Sequence, residues 1–452
     1  MIEEAEPRPL VHVTPPSGWL NDPVGGLVHG GRQHLFFQYV PTATEWRHTC
    51  HWGHLVGDDL VRWRHLPVAL APGDGDDGVW SGSAVVDEGG PVLFYTSVLD
   101  GQLDLGRVAL ARPADGELAE GAPGGESGGR EPADGELVRW RKHDGGPVLL
   151  PPPDLDLAHF RDPFVWGRTG AWRMLVGAGL RDRGGAVLRY SAADLHRWRY
   201  DGVLAEAGPG SGLGDVWECP QYVDLDGGPA LVVSIMNGGQ LDRVIAARGR
   251  AEGDRFVPGR WQVLGYGRSA YALTTYRDRA GLLVGTAWLR DGPPGVPRRD
   301  WAGMLSLPVH LTAGADGDIH VAPHPDVDTL RTARLAEGAT GVELTDGLAD
   351  LEVTLAAGAR LRLDTDAAPV VLAYAEDGLT VESGGEPTVV PVLRPGSELS
   401  LRVVVDRGVV EAWTGEGRWA AVRVLGLRVR AATVLGGGRL DAWALDPVQE
   451  PA

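Results

Sequence analysis

Short runs of apolar residues, separated by Gly, Asp and Pro, occur along the whole chain. Examples are His34-Leu35-Phe36-Phe37-Gln38-Tyr39, Ala84-Val85-Val86, Val92-Leu93-Phe94-Tyr95 and Trp172-Arg173-Met174-Leu175-Val176. Long stretches with the 3.6-residue period of an amphipathic helix are absent. Many short strands with turn signals between them predict an all-β protein.

An internal repeat organises the first two thirds of the chain. The segment Asp59-Leu60-Val61-Arg62-Trp63-Arg64 recurs at residues 136–141 and 194–199, and more loosely at residues 259–264. The second and third copies are 58 residues apart, and the first spacing is longer by a duplicated stretch of 19 residues. A unit of about 60 residues fits one four-stranded propeller blade with extended loops. We therefore predict a five-bladed β-propeller over residues 1–320, with residues 113–131 as a duplicated, flexible surface loop.

The pattern changes between residues 312 and 335. The segments that follow, such as Leu351-Glu352-Val353-Thr354-Leu355 and Arg360-Leu361-Arg362-Leu363, alternate or run apolar between Gly and Asp turns. Aromatic and acidic clusters become rare. This pattern predicts a β-sandwich over residues 335–452.

Charge and cysteine content exclude several classes of protein. The chain of 452 residues has 42 basic and 61 acidic side chains, a net charge of −19, which argues against nucleic acid or an anionic membrane as a partner. Cys50 and Cys219 are the only cysteines, so neither a disulfide framework nor a zinc site is expected. The acidic N-terminus is unlike a signal peptide, and no apolar run reaches the ~20 residues that span a bilayer. We expect a soluble cytoplasmic protein, or a secreted one if a leader was removed.

Three acidic motifs have a proline close behind a carboxylate. They are Trp19-Leu20-Asn21-Asp22-Pro23, Phe160-Arg161-Asp162-Pro163 and Trp217-Glu218-Cys219-Pro220. Proline fixes its own φ and makes the residue before it extended, so such a carboxylate is held in place. A surface Asp-Pro turn would look the same if it stood alone.

The motifs are in phase with the repeat. Asp22, Ser81, Asp162, Glu218 and Tyr271 follow one another at intervals of 53 to 62 residues once the duplication is left out. Equivalent positions of successive blades face one axis, so we expect these five side chains to meet at one end of the central channel. Cys219 is expected to be a packed, neutral thiol because no base adjoins it.

These motifs resemble those of glycoside hydrolase family 32, the β-fructofuranosidases. Trp19 to Gly25, Arg161 to Pro163 and Glu218 to Pro220 match three family motifs. Further similarity covers nearly the whole chain. It includes Phe37-Gln38-Tyr39, His51-Trp52-Gly53-His54, residues 80–85 and 301–308, and Val405 to Trp413 in the predicted sandwich.

The resemblance implies a five-bladed propeller joined to a sandwich, and retaining hydrolysis without a metal or organic cofactor. Asp22 would be the nucleophile, Glu218 the acid and base, and Asp162, oriented by Arg161, would stabilise the transition state. An indole beside Glu218 would raise the pKa of the acid, and amides beside Asp22 would keep the nucleophile ionised. The substrate-binding residues would be Asn21, Gln38, Trp46, Trp80, Ser81, Arg161, Tyr271 and Trp288, with a small carbohydrate as substrate.

Several positions depart from the family pattern. They are Val24, Val40, Gly265, Ser269, Ala270 and Val309. The three carboxylates are intact, so hydrolysis of sucrose or of short fructo-oligosaccharides and fructans is still expected. Our hypothesis is that the changed positions give a leaving-group preference unlike that of ordinary invertase.

Three other functions fit parts of this pattern. A fructosyltransferase would use the same catalytic residues, and the sequence does not exclude it. A non-catalytic fructan-binding protein is disfavoured by the intact carboxylates, and a five-bladed enzyme acting on arabinofuranosides by the Glu-Cys-Pro and sandwich motifs. The preferred β-fructoside, exo or endo attack, a phosphorylated or free sugar, and monomer or homo-oligomer all stay open.

Overall fold

The computed structural model describes residues 8–114, 137–253, 255–290, 300–375, 378–423 and 428–448. These residues form 35 β-strands and one short 3-10 helix. Residues 115–131 of the predicted duplicated loop lie outside the described residues. In the part of the chain that is described, no helix is long and apolar enough to cross a membrane.

The first four blades are antiparallel sheets of four strands, each formed by consecutive strands of the chain. Blade I contains β1 (Gly18–His29), β2 (Arg32–Val40), β3 (His51–Gly57) and β4 (Arg64–Leu70). Blade II contains β5 (Gly78–Asp87), β6 (Gly90–Val98), β7 (Arg107–Pro113) and β8 (Trp140–Lys142). Blade III contains β9 (Leu157–Trp166), β10 (Trp172–Leu180), β11 (Gly184–Ala192) and β12 (Arg199–Glu206). Blade IV contains β13 (Val216–Leu225), β14 (Gly228–Asn237), β15 (Gln240–Glu252) and β16 (Arg255–Val263).

The fifth blade is less regular because two of the short strands after blade IV join other sheets. The short strands are β17 (Gly265–Tyr266), β20 (Trp301–Ala302) and β21 (Met304–Leu305). Blade V itself contains β18 (Ala270–Arg277), β19 (Leu283–Leu289), β22 (Val309–Ala313) and β23 (Ile319–Pro323), with β21 paired to β19. Strand β20 pairs with β1 in parallel and so joins the last part of the propeller to the first.

The innermost strands of the blades are β1, β5, β9, β13 and β18. Each contacts the next, and β18 contacts β1, so the five strands close a ring around one axis. Apolar side chains fill the joints between adjacent blades; Phe94, Phe160 and Val176, for example, belong to one buried cluster between blades II and III. The predicted all-β, five-bladed fold is confirmed.

The sequence repeat corresponds to one local structure, a turn that leads into the outermost strand of a blade. In blade I the Asp59 carboxylate accepts the backbone N–H groups of Val61 and Arg62, and in blade III Asp194 accepts those of His196 and Arg197 in the same way. Such Asx turns replace backbone pairing where a strand ends. In these two copies the Trp then donates its indole N–H to the carbonyl three residues earlier, whereas the Trp140 indole N–H of the second copy is buried and has no hydrogen-bond partner among the described residues.

The first hairpin shows why a Gly-Gly pair stands between β1 and β2. Gly30 and Gly31 have φ of 57° and 77°. Two successive positive φ angles define the type I′ turn, whose twist matches that of the flanking strands.

The C-terminal strands form two sheets packed face to face. One sheet has seven strands, in the order β17, β33 (Trp419–Arg423), β32 (Val409–Thr414), β31 (Glu398–Asp406), β26 (Leu348–Ala356), β35 (Gly438–Leu445) and β24 (Arg331–Ala339). The other has six, in the order β25 (Gly341–Glu343), β34 (Val429–Leu435), β27 (Arg360–Thr365), β28 (Val370–Ala375), β29 (Gly378–Glu382) and β30 (Thr388–Val390). The 3-10 helix Pro325–Leu330 connects this β-sandwich to blade V.

A buried ionic cluster joins the N-terminal segment, the propeller and the sandwich. We call His12, Asp406 and Glu411 the junction cluster. The His12 ring bonds Asp406 Oδ2 through Nδ1 at 2.8 Å and Glu411 Oε1 through Nε2 at 2.9 Å. Asp406 also accepts three backbone N–H groups of residues 10–12, and Glu411 accepts the Leu307 N–H and the Trp419 indole. Asp406 and Glu411 belong to the sandwich motif that resembles the family signature.

Candidate active site

A β-bulge interrupts the innermost strand of every blade at the same level of the propeller. The ladder with the neighbouring strand breaks between Leu20 and Pro23, between Trp80 and Gly82, between Arg161 and Phe164, between Glu218 and Gln221, and between Tyr271 and Thr274. Each of the five residues that recur in phase with the repeat lies in or beside one of these breaks. Bulges re-aim side chains, and here they direct polar groups towards one end of the axis.

Asp22 on blade I is held by three side chains. Ser81 Oγ donates to Asp22 Oδ2 at 2.7 Å, Gln38 Nε2 donates to the same oxygen at 3.3 Å, and Asn21 Nδ2 donates to Oδ1 at 3.1 Å. The Trp19 indole N–H donates to Asn21 Oδ1 at 3.0 Å and so fixes the amide with its NH₂ towards Asp22. The carboxylate therefore has a defined orientation at the base of the pocket.

Asp162 on blade III faces Asp22 across Cys219. The backbone N–H of Cys219 donates to Asp162 Oδ2 at 3.0 Å, and its Sγ lies 3.7 Å from that oxygen and 3.8 Å from Asp22 Oδ2. Asp162 and Cys219 both have positive φ, 63° and 46°. Such strained backbone is concentrated at functional sites, where the surrounding structure enforces it.

Glu218 on blade IV is bound by a guanidinium and a phenol. Arg161 Nε donates to Glu218 Oε1 at 3.0 Å, and the Tyr271 hydroxyl donates to Oε2 at 2.5 Å. Arg161 and Tyr271 belong to blades III and V, on either side of Glu218. The three predicted catalytic carboxylates thus come from blades I, III and IV and meet at one end of the axis.

Indole rings surround this polar cluster. Trp80 lies 6.0 Å from the Arg161 guanidinium, and Trp46 contacts Trp80 edge to face with ring centroids 5.5 Å apart. Trp46 is 45% exposed, so it forms the rim of the site. Trp288 is buried and lies between Trp19, at 5.6 Å, and Tyr271, at 6.5 Å. All the predicted substrate-binding residues are therefore near the carboxylates.

Burial changes the acidity of the cluster. It raises the pKa of Asp22 to about 6, with a contribution from the charge of Glu218, against the hydrogen bonds from Ser81 and Asn21. Burial and Glu218 raise the pKa of Asp162 to about 7, and burial and three neighbouring carboxylates raise the pKa of the Cys219 thiol well above its usual range. Cys219 is therefore neutral, as expected. For Asp22, burial outweighs the amide that was expected to favour the ionised form, and the Ser81 hydroxyl as well.

Two expectations about neighbours were wrong. The Arg161 guanidinium binds Glu218, and Asp162 is held by the Cys219 N–H instead, because the bulge turns Asp162 out of the regular strand. Trp217 does not line the site beside Glu218: it is fully buried among residues of blades III and IV, and its N–H donates to the Leu213 carbonyl. Successive residues of a strand point to opposite faces, which separates Trp217 from Glu218.

The departures from the family pattern lie mainly in packed regions. Val40 packs with Cys50 and Val98, and Ala270 and Val309 are buried in the core that blades IV and V share with the sandwich. Gly265 pairs with Trp419 of the sandwich. Val24 is 1% exposed and lines an axial cavity of about 150 Å³ beneath the carboxylates. Val40 also packs with Trp80, so this departure acts on the packing behind the pocket wall.

Sequence reasoning missed three residues that hold the site. His159 Nδ1 lies 3.0 Å from Arg161 Nη1, and Met236 Sδ accepts from Arg161 Nη2 at 3.3 Å. Thr96 binds the backbone of Ser81 and Asp162. No motif marks Met236 and Thr96, because their partners are distant in sequence, and none marks His159 although Arg161 is two residues away.

Metal ligands are not grouped in the described part of the chain: no three His, Cys, Asp or Glu side chains there are arranged to hold a metal ion. The arrangement instead offers carboxylates at different depths, one guanidinium, and amide and hydroxyl donors. Such a set can bind a polyhydroxylated ring and supply a nucleophile and a proton donor.

Comparison with known proteins identifies the family. Residues 12–323 match the model described as glycosyl hydrolases family 32 N-terminal domain. The chain belongs to glycoside hydrolase family 32. The predicted resemblance is thereby confirmed, and the protein is a glycosidase.

Relatives of this family 32 enzyme match over most of its length. Raffinose invertase of Escherichia coli is 32% identical over 90% of this chain and 87% of its own. A sucrose-6-phosphate hydrolase of Escherichia coli is 31% identical with the same coverage. Among solved structures, a β-fructofuranosidase of Bombyx mori superposes with a TM-score of 0.83 at 25% identity, covering 98% of this chain and 94% of its own. A variant of that enzyme was solved in complex with sucrose.

Proposed function

We propose that this enzyme releases fructose from β-fructofuranosides of the sucrose type by a retaining, double-displacement mechanism. The observation that carries the proposal is the convergence of Asp22, Asp162 and Glu218 on one end of the propeller axis, joined through Cys219 and Arg161. Relatives named for the hydrolysis of raffinose, sucrose 6-phosphate and β-fructofuranosides, and the sucrose complex of the Bombyx mori enzyme, support this substrate class.

In the first step, an ionised Asp22 oxygen attacks the anomeric carbon of the fructosyl unit. The bond from that carbon to the leaving oxygen breaks, and Glu218 gives its proton to that oxygen. The product is a fructosyl ester on Asp22. Ser81, Gln38 and Asn21 direct the attacking carboxylate, so little reorganisation is needed.

In the second step, Glu218 takes a proton from water, and the water oxygen attacks the same carbon. The ester bond breaks, which frees Asp22 and fructose with the original configuration. Arg161 and Tyr271 hold the two oxygens of Glu218 and keep the carboxyl group aimed at the bond.

Asp162 is assigned to the sugar hydroxyls and to the charge of the oxocarbenium-like transition state. It is fixed by the Cys219 N–H and lies on the far side of Cys219 from Asp22. Negative charge placed where positive charge develops is usually the largest single source of rate enhancement. The indoles of Trp80 and Trp46 would form the apolar wall against the sugar.

The test is a product assay of the purified protein with sucrose, kestose, inulin and levan, resolved by chromatography. We expect free fructose from the wild type and none from Asp22→Asn or Glu218→Gln. The matched control is Glu206→Gln, which removes a carboxylate paired with Arg183 at the edge of blade III and should leave activity unchanged. Longer oligosaccharides in place of fructose would mean a transferase, and no turnover by the wild type would contradict the proposal. The same panel tests the leaving-group hypothesis, which fails if sucrose is the best substrate.

A further inference from the structure

We propose that Thr96 is a positioning residue for this reaction, and the inference rests on the proposed function. Thr96 lies on β6, opposite Trp80, and is fully buried. Its hydroxyl donates to the Ser81 carbonyl at 2.9 Å and accepts from the Asp162 N–H at 2.8 Å. One oxygen atom thus links the backbones of two bulges, on blades II and III.

The bulges explain why these backbone groups need Thr96. In blade II the ladder passes from Trp80↔Thr96 to Gly82↔Tyr95 and leaves Ser81 without an opposite residue. In blade III it passes from Arg161 to Phe164 and skips Asp162. A buried N–H or C=O without a partner is costly, and a single hydroxyl can both donate and accept.

The linkage has a chemical consequence because each bulge carries a functional side chain. The Ser81 hydroxyl donates to Asp22 Oδ2, and the Asp162 carboxylate accepts from Cys219. Thr96 therefore fixes the position of Ser81 relative to Asp162. Ser81 orients the nucleophile, and Asp162 faces the developing charge. It is too deeply buried to reach the sugar itself, so it acts only through Ser81 and Asp162.

Ser83 provides a matched comparison on the same two blades. It lies two residues beyond Ser81 on β5, is buried, and its hydroxyl accepts the Val165 N–H of blade III at 2.9 Å. Ser83 thus makes the same kind of bond across the same joint, but at a level that does not include a catalytic carboxylate. A purely structural role would make the two positions equivalent.

The experiment measures kcat, KM and Tm for Thr96→Val, Thr96→Ser and Ser83→Ala with sucrose or the best substrate of the product assay. We expect Thr96→Val to lower kcat about 30-fold with KM changed less than about threefold, because small misplacements of reacting groups cost about 10²-fold in rate. Thr96→Ser should restore kcat to within about threefold of the wild type, since it keeps the hydroxyl. Ser83→Ala should lower Tm as Thr96→Val does but keep kcat within about twofold.

The proposal is overturned if Thr96→Val keeps wild-type kcat, or if Ser83→Ala loses kcat to the same extent. Should Thr96→Val not fold, Thr96→Cys, whose thiol is a weak donor and acceptor, must show the same loss of kcat. Crystal structures of the wild type and the variant give a readout independent of activity. We expect Asp162 to leave hydrogen-bond distance of the Cys219 N–H, and an unmoved Asp162 contradicts the inference even if the wild type proves inactive on every β-fructoside.

Discussion

The active site and the junction cluster both contain buried carboxylates, but these carboxylates differ in their hydrogen bonds and charged partners. In the junction cluster, Asp406 accepts four N–H groups and Glu411 three, and both share the His12 ring. In the active site, Arg161 is the guanidinium among three carboxylates, and it binds Glu218. The difference separates a site that holds a fold together from one that does chemistry.

The pKa values follow from this contrast. In the junction cluster the hydrogen bonds to Asp406 and Glu411 outweigh burial and raise the pKa of His12 to about 9. Burial is likewise outweighed at Asp406, whose pKa is lowered by His12 and by the backbone N–H groups of Leu10 and Val11. In the active site, burial raises the pKa of Asp22 to about 6 and that of Asp162 to about 7. Asp406 is therefore fixed in its ionised form, whereas Asp22 and Asp162 take up a proton near neutrality.

The largest expected effect is the loss of activity in Asp22→Asn. Removing the nucleophile should lower kcat/KM by at least about 10⁴-fold, as losses of catalytic residues in other hydrolases do. Because the amide also removes a buried charge close to Asp162 and Glu218, Tm should be unchanged or higher. Initial rates with the preferred β-fructoside and thermal unfolding check both parts. A fall in Tm would mean that the hydrogen bonds of the Asp22 carboxylate stabilise the fold, as those of Asp406 do.

Asp406→Asn should give the opposite result. It leaves the protonated His12 with Glu411 but without the charge of Asp406, and it removes one of the two oxygens that accept three backbone N–H groups, so the free energy of unfolding should fall by about 3–5 kcal/mol. Activity per folded molecule should stay close to that of the wild type. Denaturant unfolding measures the stability, and Asp366→Asn, which removes an exposed partner of Arg430, is the control, with an expected loss below about 1 kcal/mol.

The pH dependence of stability should separate the two regions. The pKa of His12, about 9 in the folded state, lies above its usual value of 6.5, so its stabilisation is complete below about pH 6.5 and is lost as the pH rises through about 9. The full loss is roughly 3 kcal/mol. The pKa values of Asp22 and Asp162 are also raised, so their contribution to stability grows as the pH falls through 7 and 6, while the ionised nucleophile is lost.

Between pH 7 and 5, kcat/KM should therefore fall although Tm does not. Thermal unfolding and initial rates measured across pH 5 to 10 test this difference. In His12→Gln the decrease of Tm above pH 8 should be shallower than in the wild type, and in Asp22→Asn the change of Tm below pH 7 should be smaller. If Tm changed with pH in the same way in all three proteins, His12 and Asp22 would not be the groups responsible for the pH dependence of stability.

Tyr271→Phe should have a smaller effect on activity. It removes the 2.5 Å hydrogen bond to Glu218, and bonds to charged groups contribute about 1.5–3 kcal/mol, so kcat/KM should fall about 10- to 100-fold. Tyr276→Phe is the matched control, because the Tyr276 hydroxyl is buried and has no hydrogen-bond partner among the described residues. Steady-state kinetics of the two variants should differ by at least tenfold, and equal activities would show that the bond to Glu218 has no catalytic role.

The phase of the repeat was enough to predict where the functional side chains meet. Asp22, Ser81, Asp162, Glu218 and Tyr271 recur at one blade interval, and the structure places each in or beside an inner-strand bulge. Pro23, Pro163 and Pro220 mark three of the bulges, but no sequence pattern shows how a bulge turns each side chain. For this reason the partners of single atoms were predicted less well: Arg161 binds Glu218 rather than Asp162, and Trp217 faces the core.

Long-range contacts account for what the sequence did not reveal. The resemblance marked the hairpin that contains Asp406 and Glu411, but not that these carboxylates hold His12, almost 400 residues earlier in the chain. The role of Thr96 likewise depends on a neighbour in another blade, Asp162. Val24 lines the axial cavity together with Asp162, and Val40 packs with Trp80, contacts that the family pattern alone did not predict.

The most direct test of the central claim, that Asp22 is the nucleophile, is to trap its ester. Glu218→Gln would be mixed with an aryl β-fructofuranoside, whose leaving group departs without acid, quenched rapidly, digested, and analysed by peptide mass spectrometry. We predict a fructosyl group on the peptide that contains Asp22, which accumulates because the second step lacks its base, and none in the variant that also carries Asp22→Asn. A fructosyl group on another residue, or rapid turnover by the double variant, would contradict the account.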